Sequence, residues 1–434
     1  MADSIADIDS VFGHPRWPDW SPEEPLIKSS PRRAPGSSSL IFLALSALFA
    51  QHAVADAYDT FSLVPSVTRI HDDNLFRLSS SADPQTVLGE SSKADDLTVT
   101  SLTFRINKPY ALQRFEFEIS QNNYRYQTFS YLNYSAQPYK AAWRWSLTPY
   151  LHGNLTTNRT QVLQNFADYT GYNTRNSHTE KYSRFDGVLD VNASWHVLAA
   201  AAQSTSSNSQ LTLGQGNSRV DTAEAGIRYV APSGNSLSYL AKNGRGEYIN
   251  RPDPILAGII DNRFDDRENE FRMLWRLTGK TSIDGRLARF DRTHAHFSQR
   301  DYGGTVGNLN FNWNISGKSV LTASLARELA SYQTNSSSYT TTDRLTLMPY
   351  WQVSSQTAVR LRYDHAQRDY LGAIAATPAN NRSDTLRTTM IALEWQPYRT
   401  LAITTSLQNE KRTSNQPGLD YLSKSFTVTA QMTF

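Results

Sequence analysis

The last nine residues of the chain, 426–434, read FTVTAQMTF. The apolar residues at the even positions alternate with Thr427, Thr429, Gln431 and Thr433. Successive side chains of a β-strand point to opposite sides, so this segment predicts a strand with one apolar face and one polar face. The chain also ends on an aromatic residue that is in register with the apolar face.

The same alternation recurs through the rest of the chain. It is clear in Phe115–Ile119, Leu309–Trp313, Val359–Tyr363 and Leu401–Leu407. A soluble β-sandwich also alternates in this way, so alternation alone does not identify the architecture. The lengths of the connections between the alternating segments are more informative.

Short connections and long polar connections alternate along the sequence. Short turns containing Pro, Gly, Asn or Ser are predicted at Lys108–Gln113, Leu147–Tyr150, Ser194–Val197, Ala231–Asn235, Leu277–Lys280, Ser316–Ser319, Val353–Thr357 and Gln396–Thr400. Longer polar segments are predicted at Asp72–Asp96, Gln161–Ser177, Ile249–Asp265 and Leu371–Ser383. This is the pattern of a transmembrane barrel with short periplasmic turns and longer outer loops. The sequence therefore predicts an all-β, antiparallel up-and-down β-barrel of about 18 strands, with 16 as the alternative.

The composition excludes several other classes of protein. Only 39% of the residues are hydrophobic, although the chain holds 22 Tyr, 18 Phe and 9 Trp. A barrel has this character because its inner face is polar. The chain has no Cys, which removes cysteine nucleophiles and iron–sulfur clusters, and its net charge of +3 is too small to indicate nucleic-acid binding.

A secretory signal peptide is predicted before the alternating region. Arg32 and Arg33 precede the apolar run Leu40–Ala50, and Ala53–Ala55 supplies a small-x-small cleavage site. A positive segment, a short apolar segment and such a site together are typical of a secretory signal. We therefore expect residues 32–55 to be the signal peptide, with cleavage near Ala55.

The signal peptide divides the chain into three parts. Residues 1–31 are rich in Pro and without periodicity, which predicts a disordered extension or a misassigned start. Residues 56–434 are predicted to form the barrel. Export followed by a barrel places the protein in the outer membrane of a Gram-negative bacterium.

Aromatic residues lie near the predicted strand ends. Seven of the nine Trp residues lie at strand positions, most of them within a few residues of a short turn: Trp143, Trp145, Trp195, Trp275, Trp313, Trp351 and Trp395. Amphipathic rings favour the headgroup depth of a bilayer, so these residues predict an aromatic girdle. Packing inside a strand-end core is the alternative interpretation. The terminal Phe434 is typical of the signal that the barrel assembly machinery recognises, and outer-membrane lipid is the other partner expected.

The sequence contains no convincing catalytic, cofactor-binding or metal-binding motif. The run His71-Asp72-Asp73-Asn74 is typical of a solvated turn, with a metal site as the weaker alternative. His294 and His296 share a strand face, but no third ligand is evident. The chain has no Gly-x-Ser-x-Gly elbow. We therefore predict that the protein is not an enzyme and carries no cofactor.

Charged residues fall on the face predicted to line the lumen. The candidates are Arg228, Arg272, Arg276, Arg286, Arg360, Arg362, Arg387, Glu116, Glu118 and Asp364. One interpretation is that opposed charges on neighbouring strands set the register. The other is a slightly cationic channel for hydrated, anionic chains.

Several stretches of the chain resemble one family of bacterial barrels. These are Tyr58–Pro65, Asp72–Arg77, Trp143–Pro149, Asn158–Tyr169 and Glu394–Pro397, together with the terminal Phe. They resemble the EpsL-type outer-membrane β-barrel porins that are associated with exopolysaccharide biosynthesis. The resemblance implies an outer-membrane location and a role in moving or assembling a secreted polysaccharide, with the proteins that make and export it as partners. It supplies no catalytic residues.

These observations lead to one main functional hypothesis and three alternatives. The main hypothesis is a porin-like barrel for exopolysaccharide export, with passive passage along a polar wall. The first alternative is a general or sugar-specific diffusion porin, for which Asp72–Asp96 is the best candidate for a loop that folds inward. The second is a non-conducting docking barrel for a polysaccharide synthesis complex. An outer-membrane hydrolase is the weakest, because the nine His residues are scattered.

Overall fold

The described part of the molecule is a closed antiparallel β-barrel. The computed structural model describes residues 60–168, 174–210, 217–249, 261–332, 337–373 and 381–434. The predicted signal peptide and the extension before it lie outside these ranges. The strands are β1 (Phe61–Asp72), β2 (Asp95–Tyr110), β3 (Gln113–Tyr126), β4 (Tyr134–Ala136), β5 (Tyr139–Thr148), β6 (Leu151–Leu163), β7 (Ser177–Asp190), β8 (Trp195–Asn208), β9 (Ser218–Val230), β10 (Ser236–Tyr248), β11 (Arg263–Thr278), β12 (Thr281–His294), β13 (Tyr302–Ser316), β14 (Ser319–Ser331), β15 (Tyr339–Gln352), β16 (Thr357–Leu371), β17 (Ser383–Tyr398), β18 (Leu401–Ser414) and β19 (Tyr421–Met432).

The helical content of the described residues is small. It consists of α1 (Pro84–Leu88) and two short 3-10 helices, Ser130–Leu132 and Ser298–Arg300. Asp83 caps α1 by accepting a hydrogen bond from the Thr86 amide at 3.1 Å. Among the described residues, no helix is long and apolar enough to cross a bilayer.

The nineteen segments form eighteen strands of one sheet. β4 and β5 both pair with β3, and the chain leaves the ladder between them at Gln137 and Pro138. Pro138 has no amide hydrogen to donate, although its carbonyl accepts from the Ser120 amide at 3.0 Å. The two segments therefore count as one interrupted strand. The predicted barrel of about 18 strands is confirmed, and the alternative of 16 is wrong.

The first and last strands close the barrel. β1 pairs with β2 on one side and with β19 on the other. The terminal residue takes part, because Phe434 and Leu63 exchange backbone hydrogen bonds of 2.8 and 2.9 Å. Closure leaves no unpaired sheet edge, which is the condition for a sheet to cross a lipid bilayer.

All eight predicted short connections are turns at one end of the barrel. The turn predicted at Ser194–Val197 is displaced towards the N-terminus, since it ends at Ser194 and β8 begins at Trp195. The physical reason is Asn192, whose side-chain oxygen accepts from the amides of Ser194 and Trp195 at 2.9 Å. The four predicted long segments are long connections at the opposite end, where parts of three lie outside the described residues.

A contact across the barrel identifies the inner face of the sheet. Asp168, between β6 and β7, contacts Arg368 and Tyr370 of β16. The strand order places β16 eight strands from β6 in one direction and nine from β7 in the other, which is the opposite wall. The even-numbered residues of β16 therefore point into the lumen, and the register of the ladder extends this face around the ring.

The outward face is apolar and ends in aromatic residues. Leu361 and Tyr363 are exposed there, next to Ile391 and Leu393 of β17. Six of the seven tryptophans of the predicted girdle are exposed near the short turns: Trp143, Trp195, Trp275, Trp313, Trp351 and Trp395. This distribution matches an outer-membrane barrel with an apolar band and an aromatic girdle.

The seventh tryptophan of the predicted girdle, Trp145, is buried over glycine. Its ring stacks on Phe185 with centroids 5.6 Å apart and lies over Gly153 and Gly187. A Cβ atom at Gly153 would lie 2.0 Å from the Asp186 carbonyl oxygen and 2.6 Å from the Trp145 ring. Only glycine fits between this ring and the neighbouring strand.

We predict that Gly153→Ala destabilises the barrel by about 1–3 kcal/mol, because the added methyl group overpacks a site closed by backbone. Urea unfolding in lipid vesicles, followed by tryptophan fluorescence, measures the change. Gly279→Ala is the matched control, since nothing lies within 4 Å of a Cβ in that turn. Equal stability of the two variants would contradict the close approach of Trp145.

Candidate functional site: the charged lumen and its crossing loop

One wall of the lumen carries a buried network of five charged residues. Glu270 of β11 is 0% exposed and contacts Lys242, Arg272 and Arg286. The Lys242 ammonium is 2.7 Å from Glu270 and 2.8 Å from Glu268, and Arg286 is 2.7 Å from Glu268. Arg272 and Arg286 are directly opposite on adjacent strands, so the carboxylates separate two like charges. The network fixes three cations and two anions on this wall.

The wall formed by β16 and β17 carries two further ion pairs. Arg360 contacts Glu394, with a second contact of 3.3 Å between Nη2 and Oε2. Arg362 contacts Asp364, which also accepts a hydrogen bond of 2.6 Å from the Thr346 hydroxyl. Both arginines are therefore paired with a carboxylate on the inner face.

The wall formed by β2, β3 and β5 repeats this arrangement. Glu116 accepts two hydrogen bonds of 3.1 Å from Arg144 and lies 2.9 Å from Arg114. Glu118 lies 2.7 Å from Arg105. The predicted inner-face residues are thus distributed over separate walls and are not gathered into one cluster.

Two other predicted residues lie closer to the short turns. Arg228 of β9 is opposite His196 and Ser238 on the same face. The guanidinium of Arg276 lies over Gly234, where a Cβ atom would be 2.5 Å from Nη1. Both arginines are remote from the long loops.

The inward assignment of Arg387 is wrong. Arg387 is exposed on the outward face, directly opposite His365 and Lys411. Arg387 is an even number of residues from Ile391 and Leu393 on the same strand, so it points to the same face as these exposed, apolar side chains. The physical reason is position along the strand: Arg387 lies near the long loops, where an outward charge is not at the apolar band.

A loop between β6 and β7 crosses the lumen to the opposite wall. We call residues 164–176, of which 164–168 and 174–176 are described, the crossing loop. The Asp168 carboxylate lies 2.7 Å from Arg382, 2.8 Å from Arg412 and 3.4 Å from Arg368. Arg412, only 3% exposed at its side chain, also donates a hydrogen bond of 2.7 Å to the Ala167 carbonyl.

The electrostatic balance favours the docked carboxylate. The three arginines face Asp168 and Asp384, which leaves one net positive charge at the crossing point. Burial raises the pKa of the Asp168 carboxyl, but the positive charges of Arg382 and Arg412 outweigh this effect, so its pKa lies below the ordinary value of 3.8. The side chain is 29% exposed, so water screens part of the attraction.

An aromatic core inside the end of the barrel that carries the long connections supports the crossing loop. Phe76, between β1 and β2, is 0% exposed and packs against Phe129 and Phe166, with ring centroids 4.6 and 4.5 Å away. Inward side chains of β1, β2 and β3 complete this core, including Ile70 and Leu97. Three connections therefore fill part of the mouth on one side of the barrel.

The predicted turn at His71–Asn74 is not solvated as expected. Asp72 and Asn74 are buried. The Asn74 amide group donates to the carbonyls of Leu78 and Leu422 at 2.8 and 2.9 Å. The turn is a structural anchor, because an amide can satisfy several buried backbone groups at once.

Asp72 and Arg77 extend this anchor to the last two strands. Asp72 accepts a hydrogen bond of 2.8 Å from Ser423 and lies 2.7 Å from Arg77. Arg77 also lies 3.2 Å from Glu410. Arg77 has a positive φ of 56°, a conformation that non-glycine residues adopt at a cost, and its two carboxylate partners offset this cost. Burial by itself lowers the pKa of Arg77, but the negative charges of Glu410 and Asp72 outweigh it, so the pKa lies above its ordinary value.

His294 and His296 contact different partners. His294 contacts Asp301 at 3.0 Å, whereas His296 contacts Asp261 at 2.7 Å. His71 pairs with Asp96 on the outward face. Within the described ranges, no three His, Asp or Glu side chains converge on a place where a metal ion could bind.

Sequence reasoning missed the residues that define the crossing point. Arg368 and Arg412 could have been found from the alternation of inward and outward positions along a strand. Each lies an even number of residues from an inward residue of its own strand, Arg362 and Glu410 respectively. Asp168 lies in a loop, where no periodicity applies, so no local signal connects it with β16–β18. The missed network residues Lys242, Glu268 and Glu270 were also available from parity.

Comparisons with known proteins agree with the fold. No protein-family model and no curated protein matches the chain. A BenF-like porin from Pseudomonas fluorescens Pf-5 is similar in structure, with a TM-score of 0.50 and 8% identity over 87% of this chain and 99% of that one. The outer-membrane protein OpdK of Pseudomonas aeruginosa has a TM-score of 0.48 and 9% identity, over 86% and 99%. OccK2 (OpdF) of the same species has 0.48 and 10%, over 86% and 97%. The BenF-like porin therefore shares the fold of this chain. A closed barrel with an apolar outer band and an aromatic girdle is itself the architecture of an outer-membrane protein.

We predict that Asp168→Asn loosens the crossing loop by about 2 kcal/mol, because an amide loses the charge-assisted bonds to three arginines. Hydrogen exchange of the amides in residues 164–168 should become roughly 30-fold faster, which is the same free energy expressed as a rate. Asp83→Asn, an exposed cap in a different loop, is the control. Unchanged exchange in Asp168→Asn would show that the aromatic core alone holds the loop.

We also predict that acid releases the crossing loop. Because docking lowers the pKa of Asp168, the stabilisation is complete above pH 3.8 and is lost as the pH falls through the lower pKa of the docked carboxyl. The chain has no Cys, so Asn165→Cys gives a single site for a nitroxide label. The label should become mobile on acidification in the wild-type background. In Asp168→Asn it should be mobile at neutral pH already, and a remaining pH response there would assign the effect to another group.

Proposed function

We propose that the protein is a diffusion porin of the outer membrane that passes small polar solutes. The observation that carries this proposal is the crossing loop, which places Asp168 against three arginines on the opposite wall of a charged lumen. A loop that crosses a wide barrel narrows its passage, and the charges that remain at the crossing point act on whatever passes.

The distribution of polarity supports a water-filled path. The inner face carries ion pairs on the walls around Glu116, Glu270 and Asp364, while the outward face carries exposed Leu, Ile, Phe and Trp side chains. A solid protein core does not hold this many charges, whereas a hydrated lumen solvates them. A polar interior and an apolar exterior are the properties of a porin-type barrel.

The charges favour weak selectivity. The arginines predicted from the sequence to make the channel cationic are largely paired: Arg360 contacts Glu394, and Arg362 contacts Asp364. Paired charges largely cancel at a distance. One net positive charge remains among the residues at the crossing point, so we expect a slight preference for anions.

The narrowing of the mouth supports the proposal that the solutes are small. The aromatic core of Phe76, Phe129 and Phe166 occupies one side, and the crossing loop spans to the other. A role in exopolysaccharide export rests on the sequence resemblance alone, as do partner proteins for polysaccharide synthesis, and it stays a prediction. Recognition of Phe434 by the assembly machinery is likewise a prediction.

A docking barrel that conducts nothing is the second candidate. The specific observation that favours it is the same filled mouth, because three connections pack into one core there. The two functions differ in a single property, which is whether ions cross the barrel.

Planar-bilayer conductance of the purified protein tests the proposal. We expect steady steps with weak anion preference. Asp168→Asn should give larger steps because the crossing loop is released, and Arg360→Glu combined with Arg362→Glu should shift selectivity towards cations because four carboxylates then face each other. Arg289→Gln, on the outward face, should change neither property. A folded, inserted protein that stays silent, also as Asp168→Asn, would reject the porin in favour of the docking barrel.

A further inference from the structure

Three cations meet on the outward face at the loop end of the barrel. Arg387 of β17 is directly opposite Lys411 of β18, and Lys424 of β19 is the diagonal neighbour of Lys411. All three side chains are exposed. Side chains directly opposite on antiparallel strands have Cβ atoms about 5 Å apart, so Arg387 and Lys411 repel each other.

Two of these cations have no carboxylate partner among the described residues. No ion pair joins Arg387 or Lys411 to a carboxylate there, whereas Lys424 has the Asp73 carboxylate beside it, which accepts a hydrogen bond of 2.7 Å from the Lys424 backbone amide. On β16 the outward carboxylate Asp369 instead accepts a hydrogen bond of 2.6 Å from Ser383.

Other outward cations at the same end are balanced. Arg219 lies 3.4 Å from Asp221, and Arg289 lies 2.6 Å from Asp291. In both cases the aspartate is two residues further along the same strand. Arg387 and Lys411 lack such a partner on their own strands, since threonine and asparagine take the outward positions next to them.

An apolar surface continues from the cluster towards the middle of the barrel. Two outward positions away, Ile391 is directly opposite Leu407, and Leu407 is directly opposite Phe426. The exposed fractions of these side chains are 48%, 56% and 44%. The outward face of β17–β19 thus presents cations next to the long loops and an apolar surface below them.

We propose that this face binds a phosphorylated lipid. Its phosphate would lie between Arg387 and Lys411, with Lys424 beside it, and its acyl chains would lie along Ile391, Leu407 and Phe426. An anion between two opposed cations removes their repulsion, and a guanidinium and an ammonium both bind phosphate strongly. The proposal rests on the barrel spanning a membrane, and it is independent of whether the lumen conducts.

Lipid retention measured by native mass spectrometry tests the proposal, with phosphatidic acid and phosphatidylcholine as the probes. We expect phosphatidic acid to bind the wild-type protein and phosphatidylcholine to bind far more weakly. Arg387→Gln combined with Lys411→Gln should weaken the binding of phosphatidic acid roughly 30-fold, since each cation near a lipid headgroup contributes about a factor of five. Arg219→Gln combined with Arg289→Gln is the matched control, and it should weaken binding less than about threefold.

Thermal unfolding in a zwitterionic detergent separates loss of binding from misfolding. The Arg387→Gln and Lys411→Gln variant should be at least as stable as the wild type there, because a repulsion has been removed. Equal loss of lipid in the control variant would overturn the proposal, since binding would then reflect overall charge. Full competition by inorganic phosphate would also overturn it, because the site would bind an anion without the lipid.

Discussion

The requirement that every backbone hydrogen bond be satisfied within the sheet governs this structure. Lipid offers no partners to an unpaired strand edge, so the first strand must meet the last. The pairing of β1 with β19, extended by Phe434, meets this requirement. Once the ring is closed, each strand side chain points either into the lumen or towards the lipid. Polar side chains take the first direction and apolar side chains the second.

This two-way choice explains why the fold could be predicted from the sequence. Alternation such as that of 426–434 fixes the strands, and the spacing of the short turns fixes their number. The exceptions have local causes that polarity does not report. Pro138 interrupts the strand that β4 and β5 share, and Asn192 moves one turn by a few residues. Arg387 was misplaced because its charge was given more weight than its parity.

The site was less accessible to prediction, because its decisive contacts join residues far apart in the sequence. Alternation along the strand shows that the Arg368 and Arg412 side chains point into the lumen, but it does not show which residue they contact. Asp168 reaches them from a loop about 200 residues earlier in the chain, and no periodic pattern records such a contact. Conversely, many of the inner-face charges that looked like a cationic lining are paired, either two residues apart on one strand or across neighbouring strands, and only the register shows the second kind of pair.

The anchor formed by Asp72, Asn74 and Arg77 has a consequence for the order of folding. Its partners, Glu410, Leu422 and Ser423, belong to the last two strands to be synthesised. The connection after β1 therefore cannot take its final form until the chain is complete and the ring has closed. Phe76 and Phe166 pack together beside this anchor, so the packing at the mouth forms last. A barrel that has not yet added its final hairpin therefore lacks this packing.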